Sequence, residues 1–141
     1  MNIVFLLLAI LAGVFTTFEA GINSQLGKYV TPGIATLHSL IIGTVTVLII
    51  NTLMGNLANY TKIRAVSPIW LFGGFFGASI IYLSTRVIPE LGISNTVILI
   101  LSGQLLSSMV VDAVANNIEI SLKKLAGVIL FLCGAILYLR E

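Results

Sequence analysis

Five stretches of about twenty residues, each dominated by Ile, Leu, Val, Phe, Ala and Gly, follow one another along the chain at roughly 3–22, 34–53, 68–87, 95–114 and 120–139. They lack the polar–apolar alternation of barrel strands. A chain crossing hydrocarbon must also pair its backbone groups within the segment or around a closed barrel. The pattern therefore predicts five helices, each near the ~20 residues that span a bilayer, in a single transmembrane domain over residues 1–141. The first run can continue as a polar helix through Asn23, Gln25 and Lys28 before Thr31-Pro32-Gly33 breaks it. A polar connection from Gly55 to Ser67 carries Asn56, Asn59, Lys62 and Arg64. Ser67-Pro68 reads as an N-cap followed by proline at the first helical position, where its missing N–H costs nothing. Pro89-Glu90-Leu91-Gly92 reads as a tight turn, Ser94 as the next N-cap, and Asn116-Asn117 as the last loop.

Composition agrees with this pattern. Of 141 residues, 58% are hydrophobic and 9% charged, against roughly 25% charged in soluble domains. Too little polar surface is available to coat a water-soluble body, so the chain reads as an all-α integral membrane protein. The first run lacks the basic start of a signal peptide and more spans follow it, so it reads as the first helix rather than a cleaved leader. A net charge of +2 gives no sign of a nucleic-acid partner, and the lone Cys133 gives no disulfide or metal pattern. With five spans, Lys62, Arg64, Lys123 and Lys124 fall on one side and Lys28, Arg86 and Arg140 on the other. Lys/Arg bias sets orientation, and a bias of one is nearly no instruction. The chain is therefore expected either to insert both ways round or to hold a weak N-in preference. Dual insertion would let one sequence build the inverted pair on which many transporters rely.

Candidate chemistry begins with Glu19. It lies within the first apolar run, and a charge near the bilayer centre costs ~2.5–3.5 kcal/mol or more, so such residues face protein or a wet cavity. Asn23, four residues on, shares its helix face, and Thr16 extends the stripe. This face can wall a cavity in which Glu19 binds a cation or a proton; the competing reading is an acid at the interface or paired with Arg86. Gln104, Ser108 and Asp112, spaced by four, form a second stripe that either lines the same cavity or bonds helices together. Trp70 is either part of an interfacial aromatic belt or a wall that stacks on a cation. Arg86 is expected to reach the interface or pair with Glu90 or Glu19, and His38 to be an interior residue or a proton relay. Gly73 and Gly77 form a GxxxG. Gly127 and Gly134, seven apart, form a seam for a neighbouring helix, in the same bundle or in a partner protomer. No nucleophile–base pair or metal cluster suggests an enzyme, and no cofactor is implied.

The order of short motifs carries a resemblance. Glu19-Ala20-Gly21-Ile22-Asn23, Pro32 and Gly43, then Pro68-Ile69-Trp70-Leu71-Phe72-Gly73-Gly74, Leu91-Gly92, and Gly103-Gln104 followed by Asp112 resemble the YdcZ-like small membrane proteins. That family belongs to the drug/metabolite transporter superfamily. It is similar to the small multidrug resistance transporters, which are antiparallel dimers whose last helices pair through glycines spaced like Gly127 and Gly134. The resemblance implies a five-helix, multi-pass protomer of the bacterial inner membrane, paired in opposite topologies, that transports a small molecule. The YdcZ-like pattern commonly has glutamine where this chain has Glu19; a carboxylate in the first helix is the mark of the small multidrug group, where it binds protons and cations. The reading at this point is an antiparallel, dual-topology homodimer that exports small cationic or polar-aromatic compounds against protons through Glu19, Asn23, Trp70 and Gln104. Two alternatives stand beside it: one half of a heterodimer with an oppositely oriented paralogue, and a non-transporting accessory subunit.

Overall fold

In the computed structural model, which describes residues 2–115, 119 and 121–140, the chain is helical with no strand among the described residues. The expected loop at Asn116-Asn117 and the expected fifth-helix residue Ile120 lie outside them. Five α-helices follow in order: α1 (Ile3–Tyr29), α2 (Pro32–Leu53), α3 (Gly73–Leu91), α4 (Ile93–Val114) and α5 (Leu122–Tyr138). Two 3₁₀ segments, Leu57–Ala65 and Pro68–Phe72, join α2 to α3. Among the described residues, four stretches are long and apolar enough to cross a membrane: α1, α2, Pro68–Leu91 and α4. The fifth, α5, has 17 residues, at the short end of the ~17–25 that can span.

Several boundaries differ from the sequence expectation, each for a local reason. The first helix takes up the polar extension allowed for it and ends at Tyr29, with Lys28 in its last turn where a cation suits the helix C-terminus. Thr31 caps α2 by accepting from the Ile34 N–H at 3.2 Å, and Pro32 sits at the first helical position, so α2 begins before Ile34. Ser67 makes no side-chain cap; Pro68 opens a 3₁₀ turn that widens into the α-helix of α3 only at Gly73, a common way for an α-helix to start. Pro89 is not part of a turn but lies inside α3. The break falls at Gly92, whose φ of 79° suits a residue without Cβ. Gly92, not Ser94, precedes α4.

The chain forms two compact units, Met1–Glu90 and Leu91–Glu141. In the first, α1 packs on α2, and the Leu57–Ala65 segment folds back against α2. Its buried residues among those described are Asn23, Ser24, Ala35, Thr36, Ser84, Thr85 and Ile88. Five of these seven are polar, whereas Phe5, Ile10, Phe18, Val47, Leu48, Phe75 and many other large apolar residues face outward. This inversion follows from the solvent: lipid is as apolar as leucine, so helices associate through small residues and hydrogen bonds. Spare hydroxyls on α2 are satisfied within the helix, Thr36, Thr44, Thr46 and Thr52 each donating to the carbonyl four residues back. In the second unit α4 packs on α5, burying Thr96, Val128 and Ala135.

Among the glycines of the first unit, Gly27 has the closest neighbour. A Cβ built there would lie 2.8 Å from Thr85 Cγ2, a methyl on a stiff β-branched side chain. Gly27→Ala is therefore expected to destabilise the protein: overpacking costs ~1–3 kcal/mol, more than the ~1 kcal/mol alanine returns in helix propensity. Thr85→Ser removes the colliding methyl. The double variant should unfold at a higher temperature than Gly27→Ala alone, as read by thermal melting of purified protein; equal melting would show that the contact does not limit packing.

Candidate functional site

The candidate site grows from two turns of α1 and one of α2. Glu19 and Asn23 lie on one face of α1, four residues apart, and Ser39 meets them from α2. The Asn23 amide Nδ2 donates to Ser39 Oγ at 3.1 Å, and Ser39 Oγ donates to Glu19 Oε1 at 3.2 Å. Asn23 is 5% exposed, Ser39 half-buried and Glu19 exposed. The chain of bonds therefore runs from the helix junction outward and ends on the carboxylate. Glu19 is sixteen residues into α1, about 24 Å along its axis, a distance shorter than the ~30 Å thickness of a hydrocarbon layer.

The carboxylate opens onto a groove of about 970 Å³. Glu19 and Ser39 stand at one end. The floor follows one face of α2 through Gly43, Thr44, Val47 and Leu48, with Ile81 of α3 on the wall. The other end is formed by Asn51 and by Asn56, Asn59, Tyr60 and Thr61 of the folded-back connection. Beneath α1, Ser24 Oγ and Thr85 Oγ1 are buried without a hydrogen-bond partner among the described residues.

The other sequence candidates are placed as follows. Trp70 is 77% exposed in the second 3₁₀ segment and does not line this groove. His38 is exposed beside Ser39. Arg86 is exposed on α3, and no ion pair joins it to Glu19 among the described residues. Gln104 and Ser108 are exposed on α4, Ser108 donating to the Leu105 carbonyl, and Asp112 is half-buried near the end of that helix. Within their own units nothing lies within 4 Å of a Cβ built at Gly73, Gly77, Gly127 or Gly134. Val128 and Ala135, each the residue after a seam glycine, are the buried ones on α5. Sequence reasoning did not find Ser39, or the Asn51–Thr61 end of the groove. Among the described residues there is no group of three or more His, Cys, Asp and Glu placed to hold a metal.

A chain that is helical with no strand among its described residues, with an apolar exterior and four stretches long and apolar enough to cross a bilayer, is a multi-pass integral membrane protein. A family model described as "Putative inner membrane exporter, YdcZ" matches residues 4–137. The chain therefore belongs to the YdcZ family, grouped with the drug/metabolite transporters, and is a membrane transporter of the inner membrane. No curated protein and no solved structure matches it.

The bond chain makes a stability prediction. Polar contacts between membrane helices average ~0.6 kcal/mol. Ser39→Ala and Asn23→Leu should each lower unfolding stability by ~1 kcal/mol, and a double-mutant cycle between them should show a coupling of ~0.6 kcal/mol. Strict additivity would mean that the Asn23–Ser39 bond carries no weight.

Proposed function

We propose that the protein is a proton-coupled exporter of small cationic compounds, with Glu19 as the group for which proton and substrate compete. The observation that carries this reading is the Glu19 carboxylate, tied to Ser39 and Asn23 and facing a groove large enough for a drug-sized molecule. An ionised carboxylate fixed by a hydroxyl is an acceptor and a negative charge at once. A bound cation can replace the proton on it, so one group alternates between the two cargoes. Asn23 acts through Ser39 as a positioning residue. Trp70 and Gln104 remain candidates to complete the site from other parts of the assembly.

The assembly we propose is an antiparallel homodimer of five-span protomers, inserted in both orientations. Its support is the near balance of Lys and Arg between the two sides of a five-span chain. The open faces at Gly127 and Gly134, where α5 leaves room for a neighbouring helix, fit the same assembly. A heterodimer with an oppositely biased paralogue would use the same faces.

Glu19→Gln keeps an oxygen for the Ser39 hydroxyl while removing the titratable charge. In proteoliposomes with an imposed pH gradient it should still fold but lose substrate-driven proton movement, at least tenfold below wild type. Unchanged proton coupling in this variant would remove Glu19 from the mechanism. For the assembly, C-terminal reporter fusions should be active on both sides of the membrane, and Gly134→Leu should reduce the dimer fraction seen by cross-linking. Reporter signal on one side only would end the dual-topology reading.

A further inference from the structure

Both ends of the groove are polar, and its middle is not. Ser39 and Asn51 are twelve residues apart on α2, so the ends stand about 18 Å apart. One end bears the Glu19 carboxyl group and the Ser39 hydroxyl. The other is lined by residues whose side chains carry neutral hydrogen-bonding groups, Asn56, Asn59 and Tyr60, together with Asn51, whose amide donates to the Val47 carbonyl at 2.9 Å. Between them the floor is Leu40, Gly43, Val47 and Leu48, and the Thr44 hydroxyl that borders it is turned back to the Leu40 carbonyl.

From this arrangement we infer that the groove selects elongated, two-ended substrates: a cationic group at Glu19, an apolar spacer, and a neutral hydrogen-bonding head such as an amide or a hydroxyl at the Asn51–Tyr60 end. The inference rests on Glu19 as the cation-binding group and adds a second recognition end and a length requirement. The amides and the hydroxyl there can hydrogen-bond a polar head group directly, which an alkyl terminus cannot do. The spacer that joins the ends is set by geometry. Allowing a hydrogen-bond length at each end of the ~18 Å span leaves roughly ten methylenes of extended chain.

Gly43 offers a direct test. It lies on the floor between the two ends, and a Cβ built there meets no heavy atom within 4 Å, so a larger side chain fits the fold and fills the groove. The probes are alkyl trimethylammonium ions of graded length, ending in either a carboxamide or a methyl group. Their charge is fixed, so any proton released on binding comes from the protein. Binding is measured by calorimetry on protein in lipid nanodiscs, with empty nanodiscs subtracted, and proton release in weak buffer.

The expected result is an affinity maximum near the matching length for carboxamide-ended probes, about tenfold above methyl-ended probes of the same length. Asn59→Ala and Tyr60→Phe, in the exposed connection, should each cut that head-group preference several-fold. Gly43→Leu should abolish binding of the long probes but leave tetramethylammonium still releasing its Glu19-dependent proton. Affinity that climbs steadily with chain length, regardless of head group and untouched by Gly43→Leu, would overturn the inference while leaving Glu19 in place. So would a Gly43→Leu variant that separates the dimer and leaves probe affinity intact, since the groove would then hold a second copy. A length optimum with head-group preference but no proton release would support the two-ended groove and reject only proton competition at Glu19.

Discussion

Two hydrogen bonds, Asn23 to Ser39 and Ser39 to Glu19, carry more of this structure than their size suggests. In water α1 and α2 would be held by burying leucines and isoleucines against each other. In lipid that exchange gains nothing, because the side chains are equally well solvated apart. What remains is close approach and polar pairing. The buried set of the first unit is accordingly Asn, Ser, Thr and Ala with one Ile. Gly27 lets Thr85 of α3 come within a methyl's reach of α1. The bond chain also fixes its own direction. Ser39 has one proton to donate and gives it to the carboxylate, so Asn23 must serve it as donor. The same linkage that ties two helices therefore ends on an ionisable oxygen facing an open groove.

The helices were legible from the chain because twenty-residue apolar runs have no other stable form in lipid. Glu19 and Asn23 were legible as one face because four residues make just over a turn. Ser39 was not. A lone serine in an apolar helix usually donates to its own backbone four residues back, as Ser79, Ser84 and Ser102 do here. Nothing local distinguishes Ser39, which turns to a neighbouring helix instead. The small-residue motifs had the same limit. Gly73, Gly77, Gly127 and Gly134 mark faces that permit close approach, but permission does not name a partner, and the close contact found in the first unit is at Gly27, in the polar end of α1. Pro89 read as a turn because proline usually ends helices, yet its neighbour Gly92, able to take positive φ, makes the break. The asparagines of the connection looked like ordinary loop polarity. They become one end of a groove only because the 3₁₀ segment folds back on α2, a tertiary event with no local signal.

The position of Ser39 has a consequence for how loading of the carboxylate would reach the helices. A hydroxyl hydrogen bond to an ionised carboxylate is roughly twice as strong as one to a neutral acceptor. On the proposed reading, a proton on Glu19 weakens the Ser39 bond, and a cation drawn to the same oxygen competes with the hydroxyl for it. Either cargo thus loosens a tie between α1 and α2, in a unit that has few ties to spare. Because the groove floor is α2 itself, any shift of that helix against α1 changes the width of the groove at its charged end. The energies involved are about 1 kcal/mol, enough to change a population severalfold. A bundle fastened by apolar burial could not be adjusted this way by one proton; one fastened by a charged hydrogen bond can.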